Sequence, residues 1–86
     1  MTQQEAAHLS DQFKTRFSAE VSSTEVSPGR FRFTIISPHF EKMPRMRRQD
    51  EVWEMVDQVL NREAALDVSL ILTFAPGEVQ EFVAEL

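Results

Sequence analysis

The sequence predicts an α+β domain of two layers, a mixed three-stranded sheet with helices on one face, in the order α-β-β-α-β-α. Three observations carry this prediction. Apolar residues recur at helical spacing in three segments and alternate in two others. The turn residues Ser27-Pro28-Gly29-Arg30 join two strand-like segments as a hairpin. A helical segment then separates the second and third strands, and a right-handed crossover sets those two strands parallel. Residues 1–86 are read as a single domain, because 86 residues leave no room for a second core.

Each element has a local cause. Thr2-Gln3-Gln4-Glu5 fits a capping box, and Leu9, Phe13 and Phe17 follow every four residues with Ala6 beside them, predicting a helix over about residues 3–17. Residues 19–27, rich in Ser, Thr and Val, alternate only weakly and predict an edge strand. Pro28 presets φ for a type II turn and Gly29 supplies the positive φ that follows. Phe31, Phe33 and Ile35 alternate with Arg32, Thr34 and Ile36 as a half-buried strand. Residues 37–48, with Pro38, Pro44 and a basic cluster, predict an irregular loop with room for one helical turn. From Asp50, Val52, Met55, Val56, Val59 and Leu60 predict the central helix, with Asp50, Glu51 and Glu54 favourably placed near its positive end, and residues 61–65 close it. Val68, Leu70, Leu72 and Phe74 alternate with Ser69, Ile71 and Thr73 as a third strand apolar enough to lie inside the sheet. Pro76 at a first helical position starts a last helix with the stripe Val79, Phe82, Val83 and Leu86.

Composition excludes several function classes. Without cysteine there is no disulfide, thiolate nucleophile, zinc knuckle or cysteine-held cluster, and the expected compartment is reducing. No apolar run approaches the roughly 20 residues of a membrane span, and the first ten residues lack a signal peptide's pattern, so the expectation is a cytoplasmic protein without membrane contact. Gly29 and Gly77 stand alone, so no phosphate-cradling loop exists, and no Ser or Thr shows a general-base pairing; the chain is read as non-enzymatic. His8 and His39 have no ligand spacing, so neither a metal nor a cofactor is expected.

The net charge of −5 opposes indiscriminate binding of polyanions, but it is unevenly placed. Residues 1–48 hold eight Lys/Arg and five Asp/Glu, whereas residues 49–86 hold one Arg and nine Asp/Glu. Lys42, Arg45, Arg47 and Arg48 fall within seven residues, and Asp50, Glu51, Glu54 and Asp57 follow at once.

The element order with a basic connection before the central helix is similar to the type II KH-like architecture. Within it, Ser37, Phe40, Met43, Arg48 and Val52-Trp53, and later Thr73-Phe74 and Glu78, resemble the BolA family at matching offsets. The resemblance implies a binding or regulatory module whose partner is a monothiol glutaredoxin or another iron–sulfur assembly component. Family members carry a His after the Arg that corresponds to Arg48, and often a His or Cys in the first hairpin, as cluster ligands. Here those places are Gln49 and Ser27-Pro28-Gly29-Arg30, which offer iron neither thiolate nor imidazole, so the implied role is docking without cluster ligation. The family's Gly is Lys42, which implies a rebuilt turn there.

The candidate binding residues are His39, Phe40, Lys42, Arg45, Arg47, Arg48 and Trp53. In one reading they recognise an acidic protein partner. An alternative, less favoured because of the acidic second half and the missing Gly-x-x-Gly clamp, is nucleic-acid binding by a transcriptional or RNA-associated KH-like domain, with the arginines on phosphates and His39 and Phe40 stacking on bases. A purely structural reading stays open beside these: Phe40 and Met43 anchor the connection in the core, Arg48 pairs with Glu51 or Glu54, and Trp53 walls the core with its N–H at the rim.

Overall fold

The computed structural model describes residues 1–79. Helix α1 (Gln3–Phe17) opens on the expected capping box: the Glu5 amide donates to Thr2 Oγ1 at 3.1 Å and the Thr2 amide to Glu5 Oε1 at 2.9 Å. Its stripe Ala6, Leu9, Phe13 and Phe17 is buried, and the helix stops at Ser18, in the left-handed region at φ 49°. Strand β1 (Glu20–Ser27) is largely exposed, as an edge strand should be. Gly29 turns the hairpin at φ 76°, a backbone region that costs glycine nothing. The Met1 ammonium reaches across to the Gly29 carbonyl and to the Asp67 carboxylate, tying that turn to the segment before the last strand.

Strand β2 (Arg30–Ile36) is the centre of the sheet, antiparallel to β1 and parallel to β3 (Val68–Phe74). Phe31, Phe33 and Ile35 point inward and are essentially fully buried. The inner face meets α1 and α2 (Arg45–Val59) in one core, where Phe13 lies edge-on to Phe33 at 6.0 Å and Val52, Met55 and Val56 close the opposite side. This is the α+β, two-layer arrangement expected. Among the described residues no helix is long and apolar enough to cross a membrane.

Three expectations change. First, β3 is not inside the sheet; among the described residues it is the strand beyond β2 on the side opposite β1. Its alternation also breaks, because Phe31 pairs with Val68 but the next residue, Arg32, pairs with Leu70. One extra residue in β3 moves Leu70, Leu72 and Phe74 to the outer face and leaves Val68 and Ile71 facing the core. Second, the central helix starts at Arg45 and not at Asp50, so its first turn holds no acidic residue and the basic cluster lies on the helix. Pro44 sits at the N-cap with φ −59°, where a proline suits a helix start; it had marked a loop in the sequence. Third, Asn61 does not close α2 but caps a separate short helix, α3 (Arg62–Ala65), by accepting the Ala64 amide at 2.8 Å. Pro76 begins a helical segment as expected through residue 79, while Phe82, Val83 and Leu86 of the last stripe lie outside the described residues.

Candidate functional site

The connection from β2 to α2 is built around Ser37. Its amide donates to the Phe74 carbonyl at 2.9 Å, its hydroxyl donates to the Phe17 carbonyl, and its Oγ accepts the His39 amide at 3.1 Å. Ser37 thereby joins the ends of β2, β3 and α1 and caps a 3-10 turn at Pro38–Phe40. That turn drives Phe40 into the core, fully buried with its ring 5.4 Å from that of Phe17. The expectation that Phe40 stacks on a base is therefore not met, because no face of its ring reaches solvent. His39 stays on the surface beside Phe17, with Nε2 3.2 Å from Glu51 Oε2. The residues after it form a turn, and Lys42 does not adopt positive φ, so the connection is rebuilt without glycine.

Arg48 is also withdrawn from the surface. It is 3% exposed, and its guanidinium is surrounded by acceptors: Nε donates to the Met43 carbonyl at 2.9 Å, and Nη1 and Nη2 donate to the two Glu78 oxygens at 2.6 and 2.9 Å. A longer contact of 3.5 Å reaches the Thr73 carbonyl. The partner is thus Glu78, thirty residues on, and not Glu51 or Glu54. The Arg48 hydrogen bonds, the Ala75 amide and the nearby Arg45 charge hold the Glu78 carboxyl down at about 2. This fork-to-fork pair fixes the start of the last segment against α2 and withdraws the Arg48 guanidinium from the surface.

Gln49 and Trp53, one turn apart on α2, form a second fixed unit. Gln49 Nε2 donates to the Ile71 carbonyl at 2.9 Å, and Gln49 Oε1 accepts the Trp53 indole N–H at 3.1 Å. Trp53 packs against the core as a half-buried wall with its N–H satisfied. Both ends of the Gln49 amide are thereby engaged, and together with Arg48 it occupies two β3 backbone carbonyls that face α2.

What remains free on this face is a cationic ridge. Lys42, Arg45 and Arg47 are exposed, and among the described residues no ion pair involves them. Between the arginines Met46 is 81% exposed, the most exposed large apolar residue described. Beside them Arg45 and Gln49 overhang a groove of about 230 Å³ floored by Ile71, Leu72, Thr73 and Phe74. Of the seven candidates, then, Lys42, Arg45 and Arg47 face outward together, His39 and Trp53 lie at the margin, and Phe40 and Arg48 are internal. Sequence reasoning missed Met46, and it weighed Gln49 only as a lost ligand and Glu78 only as a family match, without their roles as partners of Trp53 and Arg48. The signal for Arg48 was present, since counting back four from Val52 continues the buried stripe of α2. Among the described residues no group of three or more His, Asp or Glu side chains gathers as a metal site.

The sequence matches no protein-family model and no curated protein. The fold does match a solved structure, BolA1 from Arabidopsis thaliana, with a TM-score of 0.71 and 19% identity, over 86% of this chain and 94% of that one. The chain therefore has the BolA-like fold, as its element order and the motif around Ser37 and Arg48 implied.

Proposed function

We propose that this chain is a non-catalytic binding module of BolA type that docks an acidic protein surface through Lys42, Arg45, Met46 and Arg47. The resemblance points to a monothiol glutaredoxin or another iron–sulfur assembly component as partner. One observation carries the reading: three cations without ion pairs among the described residues surround an exposed methionine beside an open groove, while the neighbouring Arg48 is neutralised inside. Cations around one apolar anchor are the pattern of a surface that steers an acidic partner and then holds it by burial. Gln49 supports docking without cluster ligation, because it stands at the family's ligand position with both amide ends already bonded. The nucleic-acid alternative loses one of its two stacking rings with Phe40 buried.

The test is an NMR titration of the labelled chain with monothiol glutaredoxin. Shifts are expected at Arg45, Met46, Arg47 and the Trp53 indole, and Arg45→Glu combined with Arg47→Glu abolishes them. Absence of shifts at about 500 μM partner sinks the proposal. In reconstituted mixtures, iron–sulfur absorption is expected to be the same with and without this chain; absorption that depends on it overturns docking without ligation.

A further inference from the structure

Arg45 and Arg47 belong to one cationic ridge but not to one face of α2. Successive helix residues turn by about 100°, so Arg45 shares its face with Gln49, four residues on, while Arg47 lies on nearly the opposite side. Arg45 and Gln49 therefore overhang together the groove between α2 and β3, with Ile71, Leu72 and Thr73 beneath them. Ile71 is buried, and Leu72 and Thr73 are half-exposed. The Gln49 amide is engaged at both ends, which leaves Arg45 as the charged group of the rim. Glu78 feels the Arg45 charge but has both of its oxygens on Arg48, and among the described residues no carboxylate lines the groove. The last described residues lead away from it, since Val79 lies with Ser18, Glu20 and Pro38 on the β1 side of the sheet.

We propose that this groove receives one large apolar side chain, a leucine or phenylalanine, from an acidic segment of the docking partner, with a neighbouring carboxylate of that segment on Arg45. The proposal rests on the ridge being a surface for an acidic protein, and it specifies what that protein inserts. Size and charge select the occupant. At about 230 Å³ the groove is smaller than the roughly 300–1,000 Å³ of small-molecule sites, so it suits a single side chain and not a metabolite. A rim with one unpaired cation and no carboxylate calls for acidic residues beside that side chain. Met46, 81% exposed between the two faces, is covered where the segment crosses the start of α2. The two arginines then differ in role. Arg45 holds the segment by contact, whereas Arg47, on the far side of the helix, attracts it from a distance and acts chiefly on the association rate.

The probe is a capped peptide with one phenylalanine between two pairs of acidic residues, titrated into the labelled full chain and followed by NMR. A Kd of about 1 mM is expected, with shifts at Arg45, Ile71, Leu72 and Thr73. The same peptide with alanine in place of its phenylalanine binds about tenfold more weakly, as loss of one buried aromatic side chain requires. Arg45→Glu weakens the phenylalanine peptide about fivefold or more and Arg47→Glu only about twofold; both side chains are exposed, and circular dichroism verifies the fold of each variant. Equal binding of the two peptides, with shifts confined to the ridge, overturns the insertion and leaves the ridge as a charged surface. Absence of binding by either peptide at about 5 mM overturns it as well, while the glutaredoxin titration judges the ridge separately. Tighter binding of a thymidine oligonucleotide, with the same groove shifts, overturns it in favour of nucleic acid.

Discussion

Arg48 concentrates the polar energetics of this domain in one side chain. Its five N–H groups suit a fork-to-fork carboxylate pair, and the planar guanidinium also lies 5.8 Å from the Phe40 ring. Arg48→Ala strands the Glu78 carboxylate and the Met43 carbonyl and is expected to cost about 3 kcal/mol in urea unfolding. Arg48→Lys recovers only part of this, because one ammonium cannot reach both Glu78 oxygens and Met43 together. The pair also sets an acid limit. Glu78 titrates near 4.5 when unfolded and is lowered to about 2 in the fold, so its contribution is complete above about pH 5 and is lost as pH falls from 4.5 toward 2. Solvent reaches a third of the Glu78 side chain, which reduces that contribution to about 2 kcal/mol. The stability gap between the chain and its Glu78→Gln variant should accordingly be present at neutral pH and close below pH 4.5. The inward position of Arg48 was legible from helical spacing, but its partner was not, since no local pattern links residues 48 and 78.

At the scale of elements, α2 begins against its own dipole. Arg45, Arg47 and Arg48 sit at the positive end of the helix, and no side chain caps it. Arg48 is compensated by Glu78, but Arg47 is not offset by any ion pair among the described residues. Arg47→Glu is therefore expected to stabilise the domain by about 0.5 kcal/mol while weakening partner docking, with a raised melting temperature and a lowered affinity as the paired readouts. A variant that loses stability and affinity together contradicts a ridge kept for binding. The hairpin, capping box and α1 stripe were readable because each depends on neighbours within four residues. The start of α2 was not, because Pro44 marks a loop end and a helix beginning equally well. In β3 the extra residue beside Phe31 reversed the outward alternation, and pairing of two distant strands decides such a shift.

Taken whole, the molecule hangs on one aromatic core, with Phe13, Phe17, Phe31, Phe33 and Phe40 all buried. For a chain of this size total stability is about 4–13 kcal/mol, so the roughly 3–5 kcal/mol cost of Phe33→Ala consumes much of it. Urea unfolding should show that loss, whereas Leu70→Ala, at a half-exposed position, should change stability by less than about 1 kcal/mol. Charge follows a similar division between inside and outside. The cluster of four cations in the sequence splits, with Arg48 internal and Lys42, Arg45 and Arg47 external. By itself the sequence determined the order of the two long helices and the three strands, the inward faces of α1, β2 and α2, and the lack of thiolate chemistry, because periodicity and composition are local properties. Only the tertiary structure decided which cation is buried, where Gln49 is held, and which face of β3 meets solvent. Each of these depends on a contact between residues more than twenty positions apart, and no spacing along the chain encodes such a contact.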